Sequence, residues 1–558
     1  VTTDVADLDE TSPAADPTVG DEPRGTRLDE WWGRVLSVGW RFSAWRWGGP
    51  IAVTLLAAFL RLWHLGRPDA LVFDETYYVK DAWTIIHLGY EGTWPTNSTT
   101  PGAPTTDQLF ANGAVNAYSS AAEFIAHPPL GKYIIGLGML LFGPTDSAGW
   151  RISVAVLGIA TVFLVAVIAR SIFRSTLVGT LAGFFMAIDG QAIVMSRVSL
   201  LDGIVGFFAL LAFGALLLDK RWTERRTELW VARRAEQDRD TLWGPALWFR
   251  PWLFAMGLAC GLATGTKWTG MYFLAFFAVY SVLSDMMLRR RIGVEFWASS
   301  AVLRQGPINF LLTVPVAAVV YVLSWSGWFL TSGGYDRTWI QTGGGSRWTG
   351  ILHSVPTSIQ NWWHYQTEIY DFNIGLHTPH SYAANPLTWM IMARPTSMYY
   401  VGTDRGVDGC TADRCGAAIT GIANPFIWYA AVIACVVLLV LFVRFRRKGA
   451  PLLRKECGLV LLGVAAGYLP WLLYVGRTVF QFYTIAFEPY MLMALAASIG
   501  LVLGRRDDPR PRRTRAIVGV AVYLVVVVAA SVYWYPMWTA ATHSWDFVRS
   551  HYWFPGWL

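Results

Sequence analysis

The sequence predicts an all-α polytopic membrane protein, and three observations carry that prediction. The 558 residues are 54% hydrophobic and 15% charged, with a mean hydropathy of +0.37, which is the profile of a membrane-embedded chain and not of several water-soluble domains. About 11 apolar runs approach the length that crosses a hydrocarbon core. Thirty Trp and 23 Tyr suit a protein with long interfacial belts, because amphipathic rings prefer the headgroup level. The net charge of +7 sits in short loops between the runs, so it reads as topology and excludes a nucleic-acid partner.

Residues 1–28 are rich in Asp, Glu, Pro, Thr and Ala and lack aromatics, so a disordered cytoplasmic tail is expected. They show no apolar core of a cleavable signal. Residues 29–48 interleave Trp31, Trp32, Trp40, Trp45 and Trp47 with Arg34, Arg41 and Arg46, the pattern of an amphipathic helix lying in the interface. Apolar runs follow near 50–65, 150–169, 175–189, 199–219, 252–266, 270–288, 308–330, 425–443, 456–475, 480–503 and 516–535. The run Leu130–Phe142 is short and carries Lys132.

Charge parity decides that short run. The basic stretches Lys220–Arg250, Arg289–Arg304, Arg444–Lys455 and Arg505–Arg515 are expected on the cytoplasmic side. All of them, and the basic segment before Pro50, fall inside only if 130–142 lies in the interface. The amino terminus is then cytoplasmic and Leu558 external. The organisation expected is a transmembrane catalytic region over 49–330 that includes an external loop at 66–149, a long external loop at 331–424, and four helices in 425–558. Both loops exceed the roughly 2–8 residues of ordinary helix connections, so the active surface is expected outside.

Chemistry-bearing residues collect on that face. Asp74 and Glu75 stand in LVFDETYYVKDAW, followed by AHPPLGK with His127 and Lys132. SRVSLLDG brings Arg197 and Asp202, GTKWTG brings Lys267, and Arg477 lies in the turn before the tenth run. Arg forks and Lys point charges at a membrane edge are what a phosphate needs, and ionisable groups at that depth are costly enough to call for a use. Each also has a plain structural reading. Arg197 and Lys267 could snorkel or pair with Asp189 and Asp202, and Asp74 could cap the following helix. His353, His364, His377 and His380 match no usual zinc spacing, so hydrogen bonding is expected of them and no metal. A small disulfide is expected between Cys410 and Cys415 in CTADRC, on the oxidising face, whereas Cys260, Cys435 and Cys457 read as packing residues.

The DE pair, HPPLGK, SRVSLLDG, GTKWTG and HTPHSYAANPLTWMIMARP, in this order, resemble the bacterial protein O-mannosyltransferases over nearly the whole chain. The resemblance implies a GT-C type glycosyltransferase fold with external juxtamembrane helices, a polyprenyl phosphate mannose donor, and Ser or Thr hydroxyls of exported polypeptides as acceptors, reached during export through the translocon. It implies inversion, with Asp74 as general base and Glu75 orienting the acceptor or supporting the base. Lys267, Arg197, Lys132 and Arg477 are the expected holders of the donor phosphate. His127, Asp202, His377, His380, Tyr382 and Trp389 are the expected substrate contacts, though an aromatic-rich loop resting on the membrane reads as well for the last four. Eukaryotic relatives insert a β-trefoil that residues 331–424 are too few to hold. No cofactor or divalent metal is expected, because a lipid monophosphate offers no diphosphate to bridge. The rival readings are a GT-C enzyme acting on a lipid or glycan, a transporter or flippase, which would want internal repeats and midplane sites, and a non-catalytic scaffold.

Overall fold

In the computed structural model, residues 25–407, 409–448 and 451–558 are described, the side chains of 445–448 and 451–454 excepted. The tail expected over 1–28 therefore lies outside the described residues as far as 24, as does the middle of the basic stretch Arg444–Lys455. The interfacial segment expected over 29–48 divides in two. Helix α1 (Arg27–Leu36) opens on a capping box between Thr26 and Asp29, and α2 (Gly39–Leu62) starts within the same segment and runs on through Pro50. The division falls at Ser37 and Val38, where Val38 is extended and interrupts the helical ladder.

The long first loop follows, with α3 (Glu75–Leu88), α4 (Thr106–Ala111) and α5 (Leu130–Phe142). The 13 residues of α5 rise about 20 Å, short of a core about 30 Å thick. Gly136 lets α5 press against Ala82 and Ile86 of α3, where a Cβ would collide. Next come α6 (Ser147–Phe173), started by an Asp146 carboxylate accepting from Ala148 N at 2.8 Å, then α7 (Thr176–Ile188), α8 (Gly190–Val194), α9 (Leu201–Glu236), α10 (Pro251–Thr266), α11 (Gly270–Arg291) and α12 (Gly306–Ser324).

The long loop is partly helical, through α13 (Thr357–Gly375), and carries an antiparallel sheet of order β1-β2-β3, formed by Ser397–Asp404, Arg414–Thr420 and His543–Ser544. Cys410 and Cys415 are joined there, with Cα atoms 5.7 Å apart. Four helices complete the chain: α14 (Pro425–Lys448), α15 (Pro451–Tyr468), α16 (Glu488–Leu503) and α17 (Arg510–Trp538).

Among the described residues, seven helices are long and apolar enough to cross a membrane. The other four of the expected runs fold as the helices α2, α7, α10 and α16, and the run at 480–503 enters through a 3-10 turn, Gln481–Ala486, before α16 begins. The first ten residues of α16 are all buried, so it is the post around which α6, α7, α14, α15 and α17 pack. The polar ends of α9, α10 and α3 meet at one end of this bundle.

Candidate active site

The candidate site is assembled from the start of α3, the start of α9, the end of α10 and the turn leading into α16. Phe73 takes a left-handed backbone conformation, φ 53°, a placement that costs a non-glycine residue about 1–3 kcal/mol. Its ring is held in place by Phe480, Phe482 and His380, with centroids 5.7, 5.8 and 6.0 Å away. The turn gives Asp74 and Glu75 different surroundings.

Glu75 points inward and is fully buried. Arg151 of α6 forks onto it, Nε to Oε1 at 2.9 Å and Nη2 to Oε2 at 2.8 Å. The backbone N–H groups of Val72 and Ser199 donate at 2.9 and 2.8 Å. With both oxygens doubly engaged, Glu75 ties the first loop to α6 and to the segment before α9. It has no oxygen free for an acceptor.

Asp74 is half-buried and occupies the N-cap position of α3, yet its side chain makes no capping hydrogen bond. The Tyr78 hydroxyl lies within hydrogen-bond reach one turn on. Burial, reinforced by the Asp202 carboxylate and opposed by Lys267, pushes the Asp74 carboxyl up to about 6. A carboxylate tuned toward neutrality and excused from structural duty is suited to taking a proton.

Lys267 follows the last residue of α10 in an extended conformation. Its Nζ donates to both Asp202 oxygens, at 2.9 and 3.0 Å, and lies 4.0 Å from the centre of the Tyr483 ring. Burial pulls against the ammonium, but Asp202 and Tyr483 outweigh it and hold the group above its ordinary value. Arg477 donates from Nη2 to Asn373 at 2.8 Å, while its Nε is shielded from water and has no hydrogen-bond partner. That is a guanidinium with an unused donor. His127 is held well below the usual imidazole range by burial and by the positive charges of Lys267, Lys132 and Arg477, so it is a neutral ring beside Tyr78, 6.2 Å between centroids.

Asp74, Asp202, Lys267, Arg477 and His127 are thus brought within electrostatic reach of one another. Other expected residues are engaged elsewhere. Arg197 donates to the carbonyls of Leu60, Arg61, Trp63 and His64, which are the open carbonyls at the end of α2. Its guanidinium is engaged as a clamp on the end of that helix. Lys132 is buried between Asp81, at 2.8 Å, and Glu91, at 3.1 Å, and reaches the site only through its field. Trp389 is fully buried, bonded to the Ala384 carbonyl at 2.9 Å and packed on Trp471 and Tyr483, so it supports the Tyr483 ring instead of touching a substrate. His377 bonds the Gly476 carbonyl at 2.9 Å, next to Arg477. His380 sits against Phe73 and Phe480, and Tyr382 lies under Arg394.

Sequence reasoning missed Tyr78, Tyr483, Asn373 and Arg151. Tyr78 was recoverable, since it stands four residues after Asp74 and shares its helix face. The other three act across the fold and leave no local signal.

Comparison with known proteins is decisive for descent. Residues 111–322 match the family described as dolichyl-phosphate-mannose-protein mannosyltransferase, and 358–557 match the C-terminal four-transmembrane region of protein O-mannosyltransferase. The polyprenol-phosphate-mannose–protein mannosyltransferase of Mycolicibacterium smegmatis is 31% identical over 92% of this chain and 93% of its own. The chain belongs to the protein mannosyltransferase family. The Corynebacterium glutamicum member is 30% identical, over 93% and 94% of the two chains. In three dimensions this mannosyltransferase-family chain is similar to the Saccharomyces cerevisiae protein O-mannosyltransferase Pmt1-Pmt2 complex bound to the sugar donor, with a TM-score of 0.67, 13% identity and 92% coverage of both chains. That likeness shows the GT-C fold expected from the sequence.

Proposed function

We propose that this chain transfers mannose from polyprenyl phosphate mannose to Ser or Thr hydroxyls of exported polypeptides, on the outer face of the membrane. The observation that carries the reading is an Asp74 carboxyl that caps no helix and is raised to about 6, within the field of Lys267, which in turn feels the charge of Arg477. The family membership supplies the donor and acceptor classes.

In this reading Asp74 accepts the acceptor hydroxyl proton as the oxygen attacks the anomeric carbon from the face opposite the phosphate. The new C–O bond forms, the bond from the anomeric carbon to the phosphate oxygen breaks, and polyprenyl phosphate leaves with the electron pair. The configuration inverts. Arg477, with its unused Nε donor, and Lys267, fixed by Asp202, stabilise the charge on the departing phosphate. Neutral His127 adds a hydrogen-bonding group without competing for that charge. Glu75 keeps the turn rigid through Arg151, so the base is delivered in one geometry. The leaving monophosphate is a good enough leaving group, once paired with two cations, that no divalent ion enters the step.

The test is transfer of radiolabelled mannose from polyprenyl phosphate mannose to a Thr-containing peptide by the purified wild type and Asp74→Asn. Loss of a general base costs about 10²–10⁴ in rate, and that loss is expected with unchanged yield and folding. Wild type that labels a lipid or glycan but never the peptide would overturn the acceptor assignment, and an active Asp74→Asn would overturn the base.

A further inference from the structure

The long loop holds a second cluster of ligand-type side chains, away from the reacting groups. His364 and Glu368 stand one turn apart on α13, and Asp336 approaches them from the chain before it. One ligand atom from each lies within 4.8 Å of the other two. His364 Nε2 is 3.2 Å from Asp336 Oδ2 and 3.3 Å from Glu368 Oε1. Neither carboxylate lies where the ring N–H would point, for Nε2 is shielded from water and has no hydrogen-bond partner.

An imidazolium simply paired with two acids would aim its N–H at one of them. Donors bound to a shared ion instead lie along the edges of its coordination polyhedron. With metal–ligand bonds of about 2.0–2.2 Å, a tetrahedral edge is about 3.3–3.5 Å, close to both separations observed. The imidazole ring is also fixed in plane by stacking on Trp339, at 3.7 Å between centroids and 11° between planes.

We infer that Asp336, His364 and Glu368 form a binding site for one divalent transition-metal ion, of the zinc or manganese class, that clamps α13 to the preceding loop. One imidazole and two carboxylates suit these ions better than Mg²⁺, which favours an all-oxygen shell and keeps its waters. The clamp has a consequence for the neighbouring site. Tyr365, adjacent to His364, accepts from Ile125 N at 3.0 Å. Asn373, about 7.5 Å further along the helix than Glu368, bonds both Arg477 and the Ala126 carbonyl. An ion at the cluster therefore steadies the helix that positions Arg477 and the segment leading into His127. It takes no part in the chemistry.

The experiment uses the full chain in detergent, stripped with a chelator and then equilibrated with ZnCl₂, MnCl₂ or MgCl₂ before desalting. Elemental analysis is expected to return one Zn²⁺ or Mn²⁺ per chain, with melting raised by about 4 °C, and neither effect with Mg²⁺. The Asp336→Asn/Glu368→Gln variant is expected to lose both effects while its ion-free melting and circular dichroism match the wild type. His364→Ala serves as the second variant should the double one misfold. Less than a tenth of an ion per chain, or equal retention by the variants, would overturn the site. Because these readouts do not involve mannosyl transfer, they fail or succeed independently of the proposed function.

Discussion

The two ends of α10, and the stretches of α9 that lie beside them, carry the same kind of chemistry to opposite purposes. At one end Asp202 of α9 meets Lys267, just past α10. At the other, Asp219 of α9 meets Arg250, just before α10. Seventeen positions separate both the acids and the cations, about 25 Å of helix, so each pair sits near a boundary of the bundle. The Arg250 end is closed. Its guanidinium bonds Asp219, Asp285 at 2.6 Å and Asn309 at 2.8 Å, and Asn309 bonds Asp285 again at 2.9 Å. The Lys267 end stays open, because Asp74 caps nothing and Arg477 keeps an unpaired Nε. An ion pair at a membrane boundary is therefore not itself a sign of function. Unfinished pairing around it is.

The sharpest way to break the comparison is to open the closed end. Arg250→Met leaves two buried carboxylates facing each other without a cation. Removing one partner of a buried pair costs about 3–5 kcal/mol, so a large fall in melting temperature and yield is expected from thermal unfolding in detergent. Lys267→Met strips one buried carboxylate, Asp202, of its cation where Arg250→Met strips two, so a smaller fall in melting is expected together with loss of transfer activity. A variant of Arg250 as stable as wild type would end the claim that this cluster is structural.

A smaller effect separates the two ends in the opposite sense. The folded-state carboxyl of Asp74 titrates near 6 against an ordinary 3.8, so the folded chain holds a proton that the unfolded chain releases between those values. Stability contributed by this group falls as pH rises from about 4 to about 6 and stays lower above. Two units correspond to about 3 kcal/mol, reduced to about 1–2 by the partial exposure of the group. Asp74→Asn is expected to be more stable than wild type by that amount at pH 7.5 and equal to it near pH 4. Measured denaturation midpoints at both values check this. The same carboxyl makes wild-type kcat/KM fall about tenfold per unit below pH 6, and a flat acid limb would remove Asp74 as the titrating base.

The fold was legible because its signals are local. Apolar length, interfacial Trp and the sign of short loops each require only neighbouring residues, and they located helices now seen as α6, α9, α11, α12, α14, α15 and α17. The division of 29–48 was not legible, since Trp and Arg alternate on both sides of Val38 and only the backbone turn separates α1 from α2. In the site, Asp74 and Lys267 stood out as ionisable groups beside apolar runs. Arg197 stood out for the same reason and is a helix clamp, because composition shows a cation at membrane depth without showing which carbonyls it satisfies. Lys132 and Glu75 differ from Lys267 and Asp74 only in how fully their partners close around them, and those partners are scattered through the chain. The metal cluster escaped the zinc-motif reading because Asp336 joins His364 and Glu368 only through folding.

The finest test concerns how the open end keeps its cation in place. Asn373 accepts from Arg477 at 2.8 Å and donates to the Ala126 carbonyl at 3.1 Å, so one amide sets the spacing between the Arg477 guanidinium and the segment before His127. Asn373→Ala removes the acceptor without removing charge. A hydrogen bond to a charged group is worth about 1.5–3 kcal/mol when buried, and less at this half-buried edge, which gives about a fivefold loss. If Arg477 grips the donor phosphate before and during transfer alike, that loss falls on KM for polyprenyl phosphate mannose while kcat holds, since equal binding of ground and transition states affects only KM. A fall in kcat at constant KM would instead place Arg477 among the groups whose contact forms only as the phosphate departs. Asn373→Asp should restore only part of the loss, because a carboxylate keeps the acceptor for the guanidinium but cannot donate to the Ala126 carbonyl.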